Sequence, residues 1–372
     1  MSGSTSGSTS GSMRTPISPA ADLPALDADG LPKVQHLSLN PAWLAQYQEG
    51  ALEPHLPIID PHHHLWEREG GYLLDELLAD ITSGHDVHAT VFAQCGYGYR
   101  TDGPEALRPV GETEFVAGIA RQARDRGLAQ QVCAGIVGHA DLTLGDAVAP
   151  VLQAHVDAGE GRFRGVRHIN ARHEGFNASL LGRPPADLFQ QPGFRRGLAA
   201  LQATGLSFDA WLYHTQIAQL TDLAQALPGL PIVIDHVGGP LAVGPFHAQG
   251  ARVHREWRAS MQALAACPNV HVKLGGLAMA ICGFNFHRRA VPPSSLELAT
   301  AWAPYLHDAI ELFGAERCMF ESNFPVDKAM CSYAVLWNAF KRVAAGVSAS
   351  EKASLFYNTA NRFYRLGLPA AA

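Results

Sequence analysis

Four segments of the chain, far apart in sequence, share one design: an apolar, strand-like run that stops on a histidine or an acid. They are Ile58-Ile59-Asp60-Pro61-His62-His63-His64, Ala210-Trp211-Leu212-Tyr213-His214, Ile232-Val233-Ile234-Asp235-His236 and Cys318-Met319-Phe320-Glu321-Ser322-Asn323. Buried parallel strands read as short apolar runs. Polar groups gathered at their C-terminal ends are how a (β/α) barrel builds an active site. Strand-like runs also occur at 88–95, 131–137, 164–169 and 269–275, with helical stretches at 112–126, 195–203, 215–226, 256–266 and 304–313. Eight strands alternating with helices predict an α/β fold, a single-domain (β/α)8 TIM-like barrel with a flexible N-terminal arm. An open doubly wound sheet would favour a Gly-rich turn after the first strand, where this chain has Pro61 and three histidines.

The 372 residues suffice for one large domain. Residues 1–13 are rich in Gly, Ser and Thr and read as a disordered tail. Residues 14–55 read as an arm containing a helix at 41–48, and 56–368 as the barrel. Ser348 and Glu351 stand at capping-box spacing, which predicts a final helix. A net charge of −6 gives no footprint for nucleic acid or an anionic membrane. No apolar run is long enough to span a bilayer, and the start lacks a secretory pattern. The expectation is a cytoplasmic enzyme with a small-molecule substrate, and homo-oligomerisation is left open. The six cysteines are scattered without a CxxC pair and read as buried small hydrophobes.

Alternation along the first strand places His62 and His64 on one face and His63 on the other. Two imidazoles so placed can close on one divalent ion, with His214 as a candidate third ligand in a Zn²⁺ site. His236, before the sharp turn Val237-Gly238-Gly239-Pro240, suits a proton shuttle or an oxyanion donor. Glu321 and Asn323 share strand parity, and Asp327 follows in the loop. Arg167-His168 and Lys273 are candidates for holding an anionic substrate group.

Asp60-Pro61-His62-His63-His64-Leu65-Trp66, Asp235-His236-Val237-Gly238-Gly239-Pro240 and Glu321-Ser322-Asn323-Phe324-Pro325 together resemble the amidohydrolase superfamily, in its amidohydrolase-2 branch of lactonase-like and decarboxylase-like barrels. The resemblance runs from about Leu56 to Leu366. It implies hydrolysis or a related reaction at a carbonyl carbon, foremost the opening of a lactone with an anionic or polyhydroxy group, with metal-dependent and metal-free variants. A decarboxylase or hydratase on the same barrel, or a barrel that only binds, are the alternatives. One departure matters. The family's eighth strand usually ends in a Gly-Ser-Asp-Trp-Pro-like run, whereas here Asn323 stands at the Asp position and Glu321 where Gly is common. An amide takes no proton at neutral pH, so the carboxylate function is expected at Glu321, with Asp327 next.

Overall fold

The computed structural model describes residues 26–371 apart from 28, 29, 35, 69 and 179–181. The expected tail, residues 1–13, lies outside the described residues, as does the first part of the arm. Eight parallel strands follow one another around a barrel: β1 Pro57–His63, β2 Asp86–Ala93, β3 Gln131–Gly138, β4 Phe163–Ile169, β5 Ser207–Trp211, β6 Ile232–Ile234, β7 Val270–Leu274 and β8 Cys318–Phe320. Neighbours pair in sequence order. The barrel closes where the His64 amide donates to the Phe324 carbonyl (2.7 Å) and the Asn323 amide to the His62 carbonyl (2.9 Å). The closing seam therefore runs through the two segments richest in candidate site residues.

Two apolar cores follow from strand alternation. Inward positions such as Ile59, Ala89, Val91, Val137, Val233 and Met319 fill the barrel, together with Tyr357, Ala360, Phe363 and Tyr364 from the chain's last helical segment. Outward positions meet the surrounding helices in a much larger core. The Ser348–Glu351 capping box opens that last segment as expected. The helix expected at 304–313 begins earlier, at Ser295, where Ser294 and Glu297 form a capping box. Pro304 lies inside it. All six cysteines are free and buried.

The described part of the arm lies draped over the barrel and is held there by hydrogen bonds. Its helix is only Pro41–Leu44, capped by Asn40. The Trp43 indole donates to the Arg289 carbonyl (2.9 Å), and Glu49 accepts from the Ser295 amide (2.8 Å) and the Asn338 side chain (2.9 Å). Upstream, Val34 donates to the Asn177 carbonyl (2.8 Å), which brings the neighbouring His36 over the C-terminal ends of the strands. Among the described residues no helix is long and apolar enough to cross a membrane.

Candidate active site and metal centre

At the C-terminal ends of the strands a buried ionic network joins alternate sides of the barrel. Lys273 of β7, fully buried, donates to Asp209 of β5 (2.7 Å) and lies 3.1 Å from Asp235, which follows β6. Arg167 of β4 donates through Nε to Asp235 (2.8 Å) and through Nη1 to the Gln94 carbonyl (2.9 Å). From below, the Tyr364 hydroxyl donates to Asp209 (2.6 Å). Burial would raise the Asp235 carboxyl, but the Lys273 and Arg167 cations hold it well below the usual range. For Asp209, burial wins and the pKa is raised against the pull of Lys273.

Glu321 sits above this layer, immediately past β8. Its Oε1 accepts from the backbone amide of His236 (3.1 Å) and lies 2.7 Å from His236 Nδ1, while Oε2 is 2.9 Å from His62 Nδ1. Burial alone would neutralise this carboxyl; contact with His236 and His62 instead holds it ionised, far below the ordinary carboxylate range. Gly275 and Gly276 make room for it. A Cβ on Gly275 would stand 2.5 Å from Glu321 Cγ, and one on Gly276 2.5 Å from the His236 ring. His236 and Val237 both adopt left-handed backbone conformations (φ 56° and 46°), which L residues rarely adopt. The strain is held by the Glu321 contact and by the Trp257 indole donating to the Val237 carbonyl (2.6 Å).

A second buried carboxyl is shifted the opposite way. Asp327 lies behind Asn323, 2.8 Å from its side-chain amide nitrogen, and accepts from the Ala278 amide (3.2 Å). Burial raises it well above the usual range. His64, whose Nδ1 donates to the Ala93 carbonyl (2.8 Å), has its pKa pushed well down by burial and by nearby His62. Its Nε2, 3.3 Å from the Asn323 side chain, is then an acceptor. Turning the Asn323 amide would let its NH2 donate to His64 Nε2 and set its carbonyl toward Asp327, an arrangement that suits the raised pKa of that carboxyl.

The expected grouping of His62, His64 and His214 about a metal is not the one the fold assembles. Among the described residues, the donor atoms of His62, His236 and Glu321 lie within 4.8 Å of one another. His62 Nε2 is buried with no hydrogen-bond partner. Two imidazoles and a carboxylate are a donor set suited to a divalent ion, so these residues fit one. His214 lies three residues past the end of β5, packs on Phe246 (ring centroids 5.0 Å apart), and accepts from the Leu241 amide (3.3 Å). Inward positions of β5 belong instead to Asp209 and Trp211. Parity also separates Arg167 from His168. Arg167 lines the active-site cavity, whereas His168 faces a different hollow beside His139 (ring centroids 5.1 Å). Lys273 lies beneath the cavity, and its ammonium is 3.1 Å from His62 Nδ1.

The cavity itself has a volume of about 80 Å³. Its deeply buried lining comprises His64, Arg167, His236 and Asn323; Trp66, Trp211 and Tyr213 supply aromatic walls, and His36 and Arg68 lie nearest solvent. Sequence reasoning missed Trp66, Arg68 and Trp211. Continuing the alternation from His62 and His64 to 66 and 68, and inward from Asp209 to 211, would have found all three.

Residues 59–366 match the amidohydrolase family Amidohydro_2. The chain belongs to this family. It is 33% identical over 334 residues to the uncharacterized protein y4mH of Sinorhizobium fredii, covering 84% of this chain and 99% of that one. It is 30% identical over 328 residues to the L-fucono-1,5-lactonase of Burkholderia multivorans, covering 84% and 98%. Among solved structures, it resembles an amidohydrolase from Burkholderia multivorans with bound Zn at a TM-score of 0.64 and 25% identity, covering 84% of this chain and 99% of that one.

Proposed function

We propose that this amidohydrolase is a lactonase that opens a cyclic ester with water. The observation that carries the reading is His236, which lines the cavity with Glu321 buried behind its ring. With Glu321 ionised and 2.7 Å from Nδ1, His236 is held with its proton on Nδ1 and the Nε2 lone pair available. That nitrogen takes a proton from water as the water attacks the lactone carbonyl, then returns it to the ring oxygen that leaves. Glu321 orients the ring and stabilises the imidazolium that forms.

Arg167 Nη2 lies 3.5 Å from His236 Nε2, so its guanidinium reaches the place where negative charge develops on the carbonyl oxygen. The Asn323 side chain, held by Asp327 and His64, lines the same cavity. Trp66, Trp211 and Tyr213 give a flat ring apolar faces to lie against. Likeness to an L-fucono-1,5-lactonase at 30% identity supports a sugar-lactone substrate.

When a divalent metal ion is bound, His62, His236 and Glu321 would be its ligands and His236 would no longer serve as the base; likeness to a Zn-bound relative supports Zn²⁺. Bound there, the ion would supply Lewis-acid polarisation of the carbonyl and a more acidic water. The test is metal content by mass spectrometry on protein as purified, with turnover of a lactone panel before and after chelation. About one Zn²⁺ per chain and ring opening of at least one lactone are expected. No lactone turned over by metal-replete protein would sink the reading.

A further inference from the structure

Arg68 is a cation that the network beneath the cavity leaves uncompensated. Arg167 and Lys273 are each held by buried carboxylates. Arg68 donates only through Nη2, to the carbonyls of Cys95 and Gly96 (3.0 Å each), and no carboxylate of the described residues lies within ion-pair distance of it. It is half-buried and lines the cavity. A guanidinium with no carboxylate, set in a partly dry wall beside an aromatic face, is suited to bind an anion through its unused N–H groups.

Its position is fixed by a row of ring contacts that begins at the end of β1. The His62 and His64 rings are 4.9 Å apart, His64 and Trp66 stack at 5.7 Å, and the Arg68 guanidinium carbon lies 5.5 Å from the Trp66 ring centroid. Residues 62, 64, 66 and 68 therefore form a ladder from the catalytic floor to the mouth. A lactone ring lying along Trp66 spans that ladder, its reacting carbonyl at one end and a substituent at the other.

We propose that Arg68 forms an anion subsite at the cavity mouth, and that the substrate is a lactone carrying a carboxylate remote from the ester that opens. This deepens the lactonase reading and rests on it. The carboxylate bound by Arg68 is not the one released by ring opening, because that one forms at His236, at the far end of the ladder. A neutral aldonolactone would leave the guanidinium without its partner.

The experiment compares D-glucaro-1,4-lactone, which carries a carboxylate, with neutral D-glucono-1,4-lactone on wild type, Arg68→Met and Arg68→Lys. Thermal melting checks that each variant is folded. The wild type should favour the carboxylated lactone. Arg68→Met should lower kcat/KM for it by about 10- to 100-fold while changing the neutral lactone less than about threefold, the range expected for loss of a charge-assisted hydrogen bond. Arg68→Lys should recover part of the loss. Equal losses on both lactones, or no loss on either, overturn the proposal, because Arg68 would then only brace the Cys95–Gly96 turn or play no part.

Binding of D-glucarate, followed by quenching of tryptophan fluorescence, separates this proposal from the reading beneath it. Arg68-dependent glucarate binding without turnover of either lactone keeps the subsite and removes the lactonase. Glucarate binding that is absent, or that survives Arg68→Met, removes the subsite even if neutral lactones are opened.

Discussion

Glu321 and Asp327 leave the same strand six residues apart, both are fully buried, and their carboxyls are shifted in opposite directions. Glu321 is flanked by two imidazoles and accepts a backbone amide, and remains ionised. Asp327 meets only an amide side chain and one backbone N–H, and burial pushes its carboxyl well above the usual range. Burial is common to both, so it does not set the difference; the partners do. An ionised carboxylate can orient and stabilise a catalytic histidine. A protonated one can only hold a neighbouring amide in place.

Glu321→Gln should break the charged half of the pair with the largest effect. A neutral amide no longer stabilises the imidazolium, and kcat should fall by about 10²- to 10⁴-fold with the fold intact. Steady-state kinetics on a lactone checks it, and turnover near that of the wild type would remove Glu321 from the mechanism. Lys273→Met acts on the layer below by leaving Asp209 and Asp235 buried without their shared cation. A loss of about 3–5 kcal/mol is expected, read as a lower denaturation midpoint in urea.

Acid should expose the same logic across the whole molecule. Burial lowers His63 and His168 to about 3, and His85, His155, His214 and His271 to about 4. Between those values and the ordinary 6.5 the unfolded chain binds more protons than the folded one. The stability these groups contribute is present above pH 6.5 and is lost as pH falls toward 4. Asp60 and Glu112, raised by burial to about 6 and about 7, and Asp80, Asp209 and Asp327, also raised, work in the other direction but are outnumbered by the six histidines. The urea midpoint should therefore be lower at pH 5 than at pH 7; an unchanged or higher midpoint would contradict these burial effects.

Asp327→Asn tests the neutral half. An amide can donate to Asn323 as the protonated acid does, so kcat should change by less than about tenfold, far less than at Glu321. A loss as large as that of Glu321→Gln would mean Asp327 works as a charged group. The smallest effect belongs to His214→Gln. That ring touches Phe246 and the Leu241 amide rather than the cavity, so kcat/KM and metal content should stay within about twofold, since additivity holds for sites without shared partners. Loss of the metal in this variant would restore the ligand role expected from sequence.

Much of the architecture was legible because short apolar runs and strand alternation are local properties of the chain. They placed all eight strands to within a few residues, put His62 on the inner face and pointed Glu321 at the same pocket. Legibility failed where the chain leaves a strand. Past the end of β5 alternation no longer holds, and His214 turns away. At Arg167-His168 it does hold, and it forbids both side chains from facing one cavity. Nor could a local pattern reveal that the arm brings His36 to the cavity, since that depends on its pairing with Asn177, distant in sequence.

The sequence by itself therefore determined the barrel, its strand ends and the residue types gathered there, because periodicity and burial are written along the chain. Only the tertiary structure decided which groups meet. It set Glu321 between His62 and His236, shifted the Asp327 carboxyl the opposite way, tied Arg167 and Lys273 to buried carboxylates, and left Arg68 without one among the described residues. Charge state and ligand geometry depend on distances between strands, and those exist only once the barrel has closed.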